Sequence, residues 1–265
     1  MQIDRMYGPA APEHGWVPAP RYLMRRARVL ALTAQLAPGE LLEIGCGAGV
    51  LLHEFTRRGF HCTALESSVA ARELAAELAR EGDVPIQLRA EPQADWSGKF
   101  STVMAFEVLE HIADDAQALR TWAGWLQPGG HLVLSVPAHA KAWTAGDVWA
   151  GHYRRYERDA LCRLIEAAGF AIERFECYGY PIGNLGEKLS APGYARRIRR
   201  NAASEDVARS ANNDRSGIDR GIHVRLYRFV RSPPGRLAVA MCLGLQNFFL
   251  ATDLGSGYIL RARRR

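Results

Sequence analysis

The sequence of 265 residues contains few cysteines, and their spacing is not paired. Five cysteines are an odd number, and cysteines and histidines do not recur at the spacing of a metal site, which disfavours a disulfide framework and a zinc cluster. We therefore expect reduced thiols, no disulfide, no metal site and a cytoplasmic location. The cysteines lie at positions 46, 62, 162, 177 and 242.

Long apolar runs are also scarce. Residues Met1 to Pro20 are rich in proline and lack the apolar core of a secretory signal, so we do not expect export. The most apolar run, from Leu237 to Leu260, is interrupted by glycines and by Asp253. An acid near the bilayer core is costly, so we expect association with a membrane surface at most, not a spanning helix.

The remaining composition is that of an ordinary globular protein, with 48% hydrophobic and 23% charged residues. The net charge of +6 arises in one block, since ten arginines and only four acids lie between Tyr194 and Arg231. A clustered positive field attracts phosphate groups, an anionic lipid surface or RNA. The alternative is a solvated basic linker.

Short apolar runs alternate with segments of helical periodicity, and the chain shows no internal repeat. Because parallel strands need crossover connections, this alternation predicts an α/β fold with a doubly wound, mainly parallel sheet. A Pro-Gly-Gly turn at 128–130 should end one helix and lead into a strand. The predicted strands are 40–44, 61–65, 86–89, 100–106, 131–136, 171–177 and 258–262, and the predicted helices are 21–36, 50 onward, 68 to about 80, 114–126, 157–168 and 236–252.

The alternation of strand and helix patterns stops after Gly179, and a further strand pattern occurs only near residue 258. We expect an N-terminal cap and leading helix at 1–39, and a core made of 40–179 and 254–265. Between these lies an arginine-rich helical insertion, 180–253, which would act as a lid or an interface. The alternative is a separate second domain.

The strongest functional signal is a glycine turn after the first predicted core strand, with Gly45, Gly47 and Gly49. Such a turn lets the backbone approach a ligand at the switch point of an α/β sheet. Its G-x-G-x-G spacing differs from the dinucleotide fingerprint, and Glu43 beside it favours an ammonium group over a pyrophosphate. Glu66, ending the second core strand, suits the two hydroxyls of a ribose. The pattern indicates a ligand with an adenosine half and a cationic amino-acid half.

The stretch LLEIGCGAG at 41–49, together with FEVLEHI at 106–112 and LQPGGHLVLSVP at 126–137, resembles the class I S-adenosylmethionine-dependent methyltransferases. The resemblance covers about residues 40–178. It implies a Rossmann-like seven-stranded sheet, with the helical insertion before the last strand, and S-adenosylmethionine as cofactor. It also implies that the glycine loop and Glu43 contact the methionine part, Glu66 the ribose, and Phe106 and Glu107 the methionine and the reacting centre.

Some family features are missing. Strand 100–106 opens with Phe-Ser instead of the common Phe-Asp, and the loop at 90–95 lacks a Gly-Asp-Ala pattern, so no adenine contact is assigned. No Asn-Pro-Pro-Tyr element or paired catalytic cysteine is present. This argues against the amino-directed DNA methylases and the cytosine-5 RNA methylases.

Three histidines are candidates for a general base, because imidazole titrates near neutral pH. The run 137–156 resembles a type 11 or ubiquinone-biosynthesis-like subgroup of small-molecule methyltransferases, in which this loop lies near the substrate entrance. We take His152 and His139 as the candidate catalytic residues. A purely structural role for His152 remains the alternative, and His111 is expected to fix its own loop.

Together these features predict methyl transfer from S-adenosylmethionine to a small, hydrophobic acceptor, with an oxygen favoured as the methylated atom. Large aromatic side chains would form flat walls for the acceptor. The apolar helix 236–252 suits a lid at the inner face of an anionic membrane, or a dimer interface. The alternatives are an RNA methyltransferase that uses the arginine block, although nucleic acid is the less favoured partner, and a non-catalytic cofactor-binding protein. The aromatic residues are Trp16, Trp143, Trp149 and Tyr156.

Overall fold

The computed structural model describes residues 1–200 and 221–265. Two short strands pair near the N-terminus, and seven later strands form the main sheet. The strands are β1 (Gln2–Asp4), β2 (Gly8–Ala10), β3 (Glu40–Ile44), β4 (His61–Leu65), β5 (Ile86–Arg89), β6 (Phe100–Phe106), β7 (Leu126–Pro137), β8 (Phe170–Tyr178) and β9 (Gly257–Arg264). The α-helices are α1 (Pro20–Leu32), α2 (Val50–Arg57), α3 (Val69–Glu81), α4 (Asp115–Trp125), α5 (Ala145–Ala150), α6 (Arg158–Ala167), α7 (Ile182–Arg200), α8 (Gly221–Val230) and α9 (Pro233–Asn247).

The main sheet has the strand order β5-β4-β3-β6-β7-β9-β8. Strands β3 to β7 are parallel, whereas β9 runs antiparallel to both of its neighbours, β7 and β8. Helices α7, α8 and α9 lie between β8 and β9 in the sequence. The predicted fold class, a mainly parallel seven-stranded sheet with a helical insertion before its last strand, is confirmed.

The core forms two layers, one on each face of the sheet. Successive residues of a strand point to opposite faces of the sheet. Both faces are covered, so the residues that point to either face are mostly apolar. Leu41 packs with α1 and α2 side chains on one face, while Leu42 packs toward α4 and α6 on the other. In β9, Ile259 and Leu260 divide between the two layers in the same way.

The predicted bounds of β3 to β6 are confirmed to the residue, but the first helix was predicted too long. It ends at Leu32 instead of residue 36. The hydroxyl of Thr33 donates to the carbonyl of Val29 at 2.8 Å, which closes the last turn at the helix end. Likewise α9 ends at Asn247, short of the predicted 252, and the apolar run 237–260 divides between α9 and β9.

The predicted turn at 128–130 lies inside β7. Leu126 already pairs with Phe100, and pairing resumes at His131 opposite Thr102, so the residues between form an irregularity in the ladder. Gly129 has a φ of +74°, which a glycine adopts without strain. The strand therefore begins before this bulge, and the prediction of a simple turn was wrong.

The described part of the chain includes seven of the ten arginines in the basic block, on α7, on α8 and just after α8. Arg209, Arg215 and Arg220, with all four acids of the block, lie outside the described residues. The five cysteines are free thiols. Within 1–200 and 221–265, each helix is too short or too polar to cross a bilayer. The proposed division into cap, core and insertion stays a prediction.

Candidate active site

A cavity of about 890 Å³ opens beyond the carboxyl ends of β3, β4 and β6. The strand order reverses between β3 and β6, and ligands of open α/β sheets bind at such a switch point. The walls come from the cavity-facing sides of α1, α5 and α7, from the loop after β3 and from the segment after β6. Elements far apart in the sequence thus meet at one site.

The loop after β3 is shaped by glycine. Gly45, Gly47 and Gly49 have φ values of +66°, +55° and +67°, which favour glycine. A Cβ on Gly45 would lie 2.6 Å from Cγ2 of Val108, so no larger residue fits there without movement. Gly45 and Gly47 line the cavity, whereas Gly49 is not a lining residue and instead precedes α2 as its N-cap.

Glu66 is held against this loop at the end of β4. Its Oε2 accepts a hydrogen bond from the backbone N–H of Gly47 at 2.9 Å, and its Oε1 accepts one from Ser68 at 3.0 Å. The carboxylate lies on the cavity wall. A carboxylate has about four lone-pair sites, so two backbone donors leave it able to accept further hydrogen bonds.

Glu43 lies deeper, with only 5% of its surface exposed. Its Oε2 is buried and has no hydrogen-bond partner among the described residues. Burial raises the pKa of Glu43 to about 8, against the opposing charge of Arg25. A cation placed beside Glu43 would favour its ionised form, so this carboxyl group suits a positively charged ligand.

Phe106 and Glu107 also line the cavity, at the end of β6. Glu107 adopts a φ of +57°, which is uncommon for a non-glycine residue. Its carboxylate accepts hydrogen bonds from Arg21 at 2.8 Å, from Ser135 at 3.0 Å and from Tyr178 at 3.1 Å. Burial opposes ionisation of Glu107, but the charges of Arg21 and Arg25 outweigh burial and lower its pKa.

Two arginines of α1 reach the site, and the sequence analysis missed both. Arg21 and Arg25 are four residues apart and therefore share a helix face, which is a signal that the sequence contained. Arg25 places Nη1 at 3.8 Å from Oε1 of Glu107, and its guanidinium carbon lies 5.9 Å from the ring centre of Phe106. The cavity thus has positive charge facing its acids.

On the α5 side of the cavity, an imidazole is held by a buried carboxylate. Nδ1 of His152 lies 2.9 Å from Oδ1 of Asp147, and Arg155 donates to the same carboxylate at 2.7 and 2.9 Å. Burial opposes ionisation of Asp147, but hydrogen bonds from His152 and Arg155 lower its pKa. An ionised Asp147 can only accept, so Nδ1 of His152 carries a proton, and in the neutral imidazole the lone pair is then on Nε2.

Nε2 of His152 lies near a second carboxyl group, 3.9 Å from Oε1 of Glu110. Glu110 is fully buried, and both of its oxygens lack a hydrogen-bond partner in the part of the chain that is described. Burial and the neighbouring Glu107 raise the pKa of Glu110 well above its usual value. The sequence alone did not assign a role to Glu110 or Asp147.

His111 completes this group, with its ring centre 4.7 Å from that of His152. Burial and the neighbouring His152 lower the pKa of His111 to about 4. One atom each of Glu110, His111 and His152 lie within 4.8 Å of one another, a spacing that a metal ion could bridge. The expectation of no metal site is therefore untested, and so is the expectation that His111 fixes its own loop.

His139, the second candidate base, lies apart from the cavity-lining residues. Its Nδ1 is 3.4 Å from the hydroxyl of Tyr258 and 3.8 Å from a carboxylate oxygen of Glu157. The structure therefore does not bring His139 and His152 together. His139 as a base stays a prediction.

The four aromatic residues proposed as walls for the acceptor do not all lie at the cavity. Trp16 and Trp149 line the cavity, and the ring of Trp149 packs 5.0 Å from that of Tyr194 on α7. Trp143 is exposed, and Tyr156 lies in the core, where its hydroxyl donates to Asp115 at 3.0 Å. Two of the four thus reach the cavity.

The fold, the glycine loop and the cavity at the switch point are those of the class I methyltransferases. The methyltransferase domain family matches residues 19–174, which is more than half of the chain. The chain belongs to this family, and the resemblance found in the sequence is confirmed.

Among curated proteins, a ubiquinone biosynthesis O-methyltransferase of Caulobacter vibrioides is 38% identical over 139 residues. The match covers 48% of this chain and 55% of that protein. A second protein of the same name, from Xanthomonas euvesicatoria, is 31% identical over 132 residues, which cover 48% of this chain and 53% of that protein. The chain thus spans about half the length of the curated relatives that it matches.

Solved structures share the fold at lower identity. An S-adenosylmethionine-dependent methyltransferase from Mesorhizobium loti superposes with a TM-score of 0.53 at 16% identity, covering 93% of this chain and 98% of that one. A second solved structure, that of the [4+2]-cyclase SpnF, superposes with a TM-score of 0.56 at 20% identity, covering 99% of this chain and 88% of that one. Because a cyclase has the same fold, the fold alone does not establish methyl transfer.

Proposed function

We propose that this protein transfers the methyl group of S-adenosylmethionine to an oxygen atom of a small, hydrophobic acceptor. One observation carries the proposal: a single cavity contains a glycine loop, acids at the ends of two adjacent parallel strands, and an imidazole oriented by a carboxylate. Family membership and relatives named ubiquinone biosynthesis O-methyltransferase support it.

The residues at the β3 and β4 ends fit this cofactor. The unpartnered, buried oxygen of Glu43 suits the ammonium group, and Glu66 has lone pairs to spare for the ribose hydroxyls. The guanidinium of Arg25 would pair with the carboxylate of the cofactor's methionine part. The glycine loop would pack on the methionine part through Gly45 and Gly47, beside Phe106 and Glu107, while Gly49 caps α2. When bound, the cofactor supplies an electrophilic methyl group.

The chain's own residues would then position and deprotonate the acceptor. His152 would take the proton of an acceptor hydroxyl on Nε2 as that oxygen bonds to the methyl carbon and the bond from this carbon to the cofactor's sulfur breaks, and Asp147 would keep the imidazole in the required tautomer. In-line alignment supplies much of the acceleration of such a displacement. Trp149 and Tyr194 form an apolar wall for the acceptor.

A labelled-methyl screen tests this proposal. Wild-type protein, S-adenosylmethionine with a labelled methyl group and cell extract should yield a labelled, organic-soluble product. A base contributes about 10²- to 10⁴-fold to such steps, so His152→Ala should lower turnover by a factor in this range, with cofactor affinity nearly unchanged.

The control variant is His61→Ala, since this histidine is exposed at the opposite end of the sheet. It should behave as wild type. Cofactor binding without transfer to any acceptor would instead support a non-catalytic binding protein, and wild-type turnover in His152→Ala would remove that residue as the base.

We also propose that the insertion contacts an anionic membrane from the cytoplasmic side. Helix α9 exposes apolar side chains along one face, and residues 237–252 contain no charged residue. Exposed arginines of α7 and α8 would attract anionic headgroups. The exposed apolar residues are Leu237, Met241, Leu245 and Phe248, and the last is 82% exposed.

Vesicle sedimentation tests this contact. Wild-type protein should sediment with vesicles containing phosphatidylglycerol and less with pure phosphatidylcholine, and Met241→Asp should reduce sedimentation. Val69→Asp, at an exposed apolar residue on α3, is the matched control. Light scattering that shows a dimer broken by Met241→Asp would identify the face as an interface between copies. Salt-sensitive binding of RNA without vesicle binding would favour the nucleic-acid alternative.

A further inference from the structure

Glu187 lies on α7, the first helix of the insertion, and faces two arginines from other parts of the fold. Arg21 of α1 donates to its Oε1, and Nη1 of Arg155 lies 3.3 Å from its Oε2. All three side chains line the cavity. Glu187 therefore joins α7 to both walls of the site.

The contacts continue in both directions from these arginines. Arg21 also donates to Glu107 at 2.8 Å, which lies at the proposed cofactor end. Arg155 also binds Asp147, the partner of His152 at the proposed acceptor end. The result is a chain of contacts across the cavity, in which charge alternates from Glu107 to Asp147 and which ends at His152. Its members, in order, are Glu107, Arg21, Glu187, Arg155, Asp147 and His152.

Helix α7 buries none of its residues in the core. Its residues are all at least partly exposed, and Leu185 and Leu189 point into solvent. Nδ2 of Asn184 donates to the carbonyl of Leu254, and Tyr194 packs on Trp149. An ion pair is strongest where solvent is excluded, and the side chain of Arg155 is only 3% exposed. The ion pairs of Glu187 with the buried Arg155 and the more exposed Arg21 thus contribute to the placement of α7.

We propose that Glu187 is a positioning residue that couples occupancy of the cofactor end of the cavity to the placement of α7 over the acceptor end. The inference rests on the proposed function for the identity of the ligand at the cofactor end. A ligand that packs against Glu107 orders Arg21, and Arg21 then holds Glu187 and with it α7. The two ends become linked through residues that do not contact the transferred group.

Hydrogen exchange with S-adenosylhomocysteine as the probe tests the coupling without an acceptor. In wild-type protein, saturating probe should slow amide exchange in residues 182–200 about tenfold, a coupling of ordinary size. In Glu187→Gln, which keeps the shape but removes the charge, the slowing should fall to less than about twofold. Coupling is reciprocal, so the affinity of Glu187→Gln for the probe should fall by no more than about the same tenfold factor.

Glu176→Gln is the matched control. The side chain of Glu176 is 17% exposed, against 18% for Glu187, and it forms an ion pair with Arg28 at 2.7 Å, away from the cavity lining. This variant should respond to the probe as wild type does. If Glu187→Gln does not fold, as judged by circular dichroism, Glu187→Asp serves instead, because it keeps the charge on a shorter stem and should show intermediate slowing.

Each outcome decides the inference. Equal slowing in wild type and Glu187→Gln would overturn it, and so would binding of the probe to wild type without any change in residues 182–200. Failure of wild type to bind the probe, measured by calorimetry, would overturn the proposed function and the coupling together. These results are distinguishable because binding and exchange are measured separately.

Discussion

Glu66 combines a structural and a proposed binding role in one side chain. Two backbone amides orient its carboxylate, and the remaining lone pairs face the cavity. Hydrogen bonds to a charged group contribute about 1.5 to 3 kcal/mol each, so Glu66→Ala should weaken S-adenosylmethionine binding by at least about tenfold. Calorimetry measures this, with Glu73→Ala on the exposed side of α3 as control. Unchanged affinity would show that the ribose assignment is wrong.

Glu43 makes the stability of the unliganded protein depend on pH. Burial raises its pKa from 4.5 to about 8 in the folded state. Between these values the unfolded chain loses the proton while the folded protein keeps it, so rising pH favours unfolding. Glu43→Gln lacks this titration. Its melting temperature relative to wild type should therefore be higher at pH 8 than at pH 5.

Thermal melts without ligand at these two pH values test the prediction. Glu73→Gln, at an exposed position on α3, is the control for the loss of a carboxylate. A constant difference between Glu43→Gln and wild type across the range would contradict a raised pKa in the folded protein.

At the scale of elements, the loop after β3 can be tested with two glycines of nearly equal φ. Gly45 has a φ of +66° and a Cβ there would meet Val108, whereas Gly98 has a φ of +63° with open space around its Cβ position. Left-handed backbone costs about 1 to 2 kcal/mol for an alanine, and overpacking adds about 1 to 3 kcal/mol. Gly45→Ala should therefore lose more stability than Gly98→Ala, and only Gly45→Ala should lose cofactor affinity.

Chemical denaturation and calorimetry measure these two effects. Equal losses of stability in both variants would mean that Val108 moves aside without cost. Retained affinity in Gly45→Ala would separate the close packing of the loop from ligand binding.

Elements with strong local signals could be predicted from the sequence. Strands β3 and β4 are short apolar runs bounded by glycine or serine turns, and they were predicted to the residue. The hairpin of β1 and β2 was not predicted, because its pairing depends on contacts that a short proline-rich segment does not reveal. The bulge in β7 was missed for a related reason, since the pairing of β7 with β6 both before and after the glycines is a tertiary contact.

In the candidate site, too, some residues could be predicted from the sequence and others could not. Its acids and glycines belong to a continuous motif, whereas Arg21, Arg25 and Glu187 reach the cavity from helices far away in the sequence. Their partners could not be inferred without the fold. Asp147 lies only five residues before His152, yet pairing the two requires the turn that follows α5.

At the scale of the whole molecule, the sheet depends on β9, which is paired on both sides. It inserts between β7 and β8, and Tyr258, Ile259 and Leu260 are completely buried. Deleting residues 257–265 should remove both ladders and uncover both core layers. We expect the deletion variant to lose its cooperative thermal transition and to bind a hydrophobic dye, as measured by calorimetry and fluorescence. Deleting Arg265 alone is the control, and a folded variant without β9 would contradict this view of the sheet.

The antiparallel insertion of β9 also has a consequence for biosynthesis. The ribosome completes β7 and β8 well before it reaches residue 257, since α7 to α9 are translated in between. Until then the nascent chain carries two unpaired strand edges, which are prone to associate with other chains. Chaperone demand should therefore peak while the insertion is being translated and fall once β9 leaves the exit tunnel.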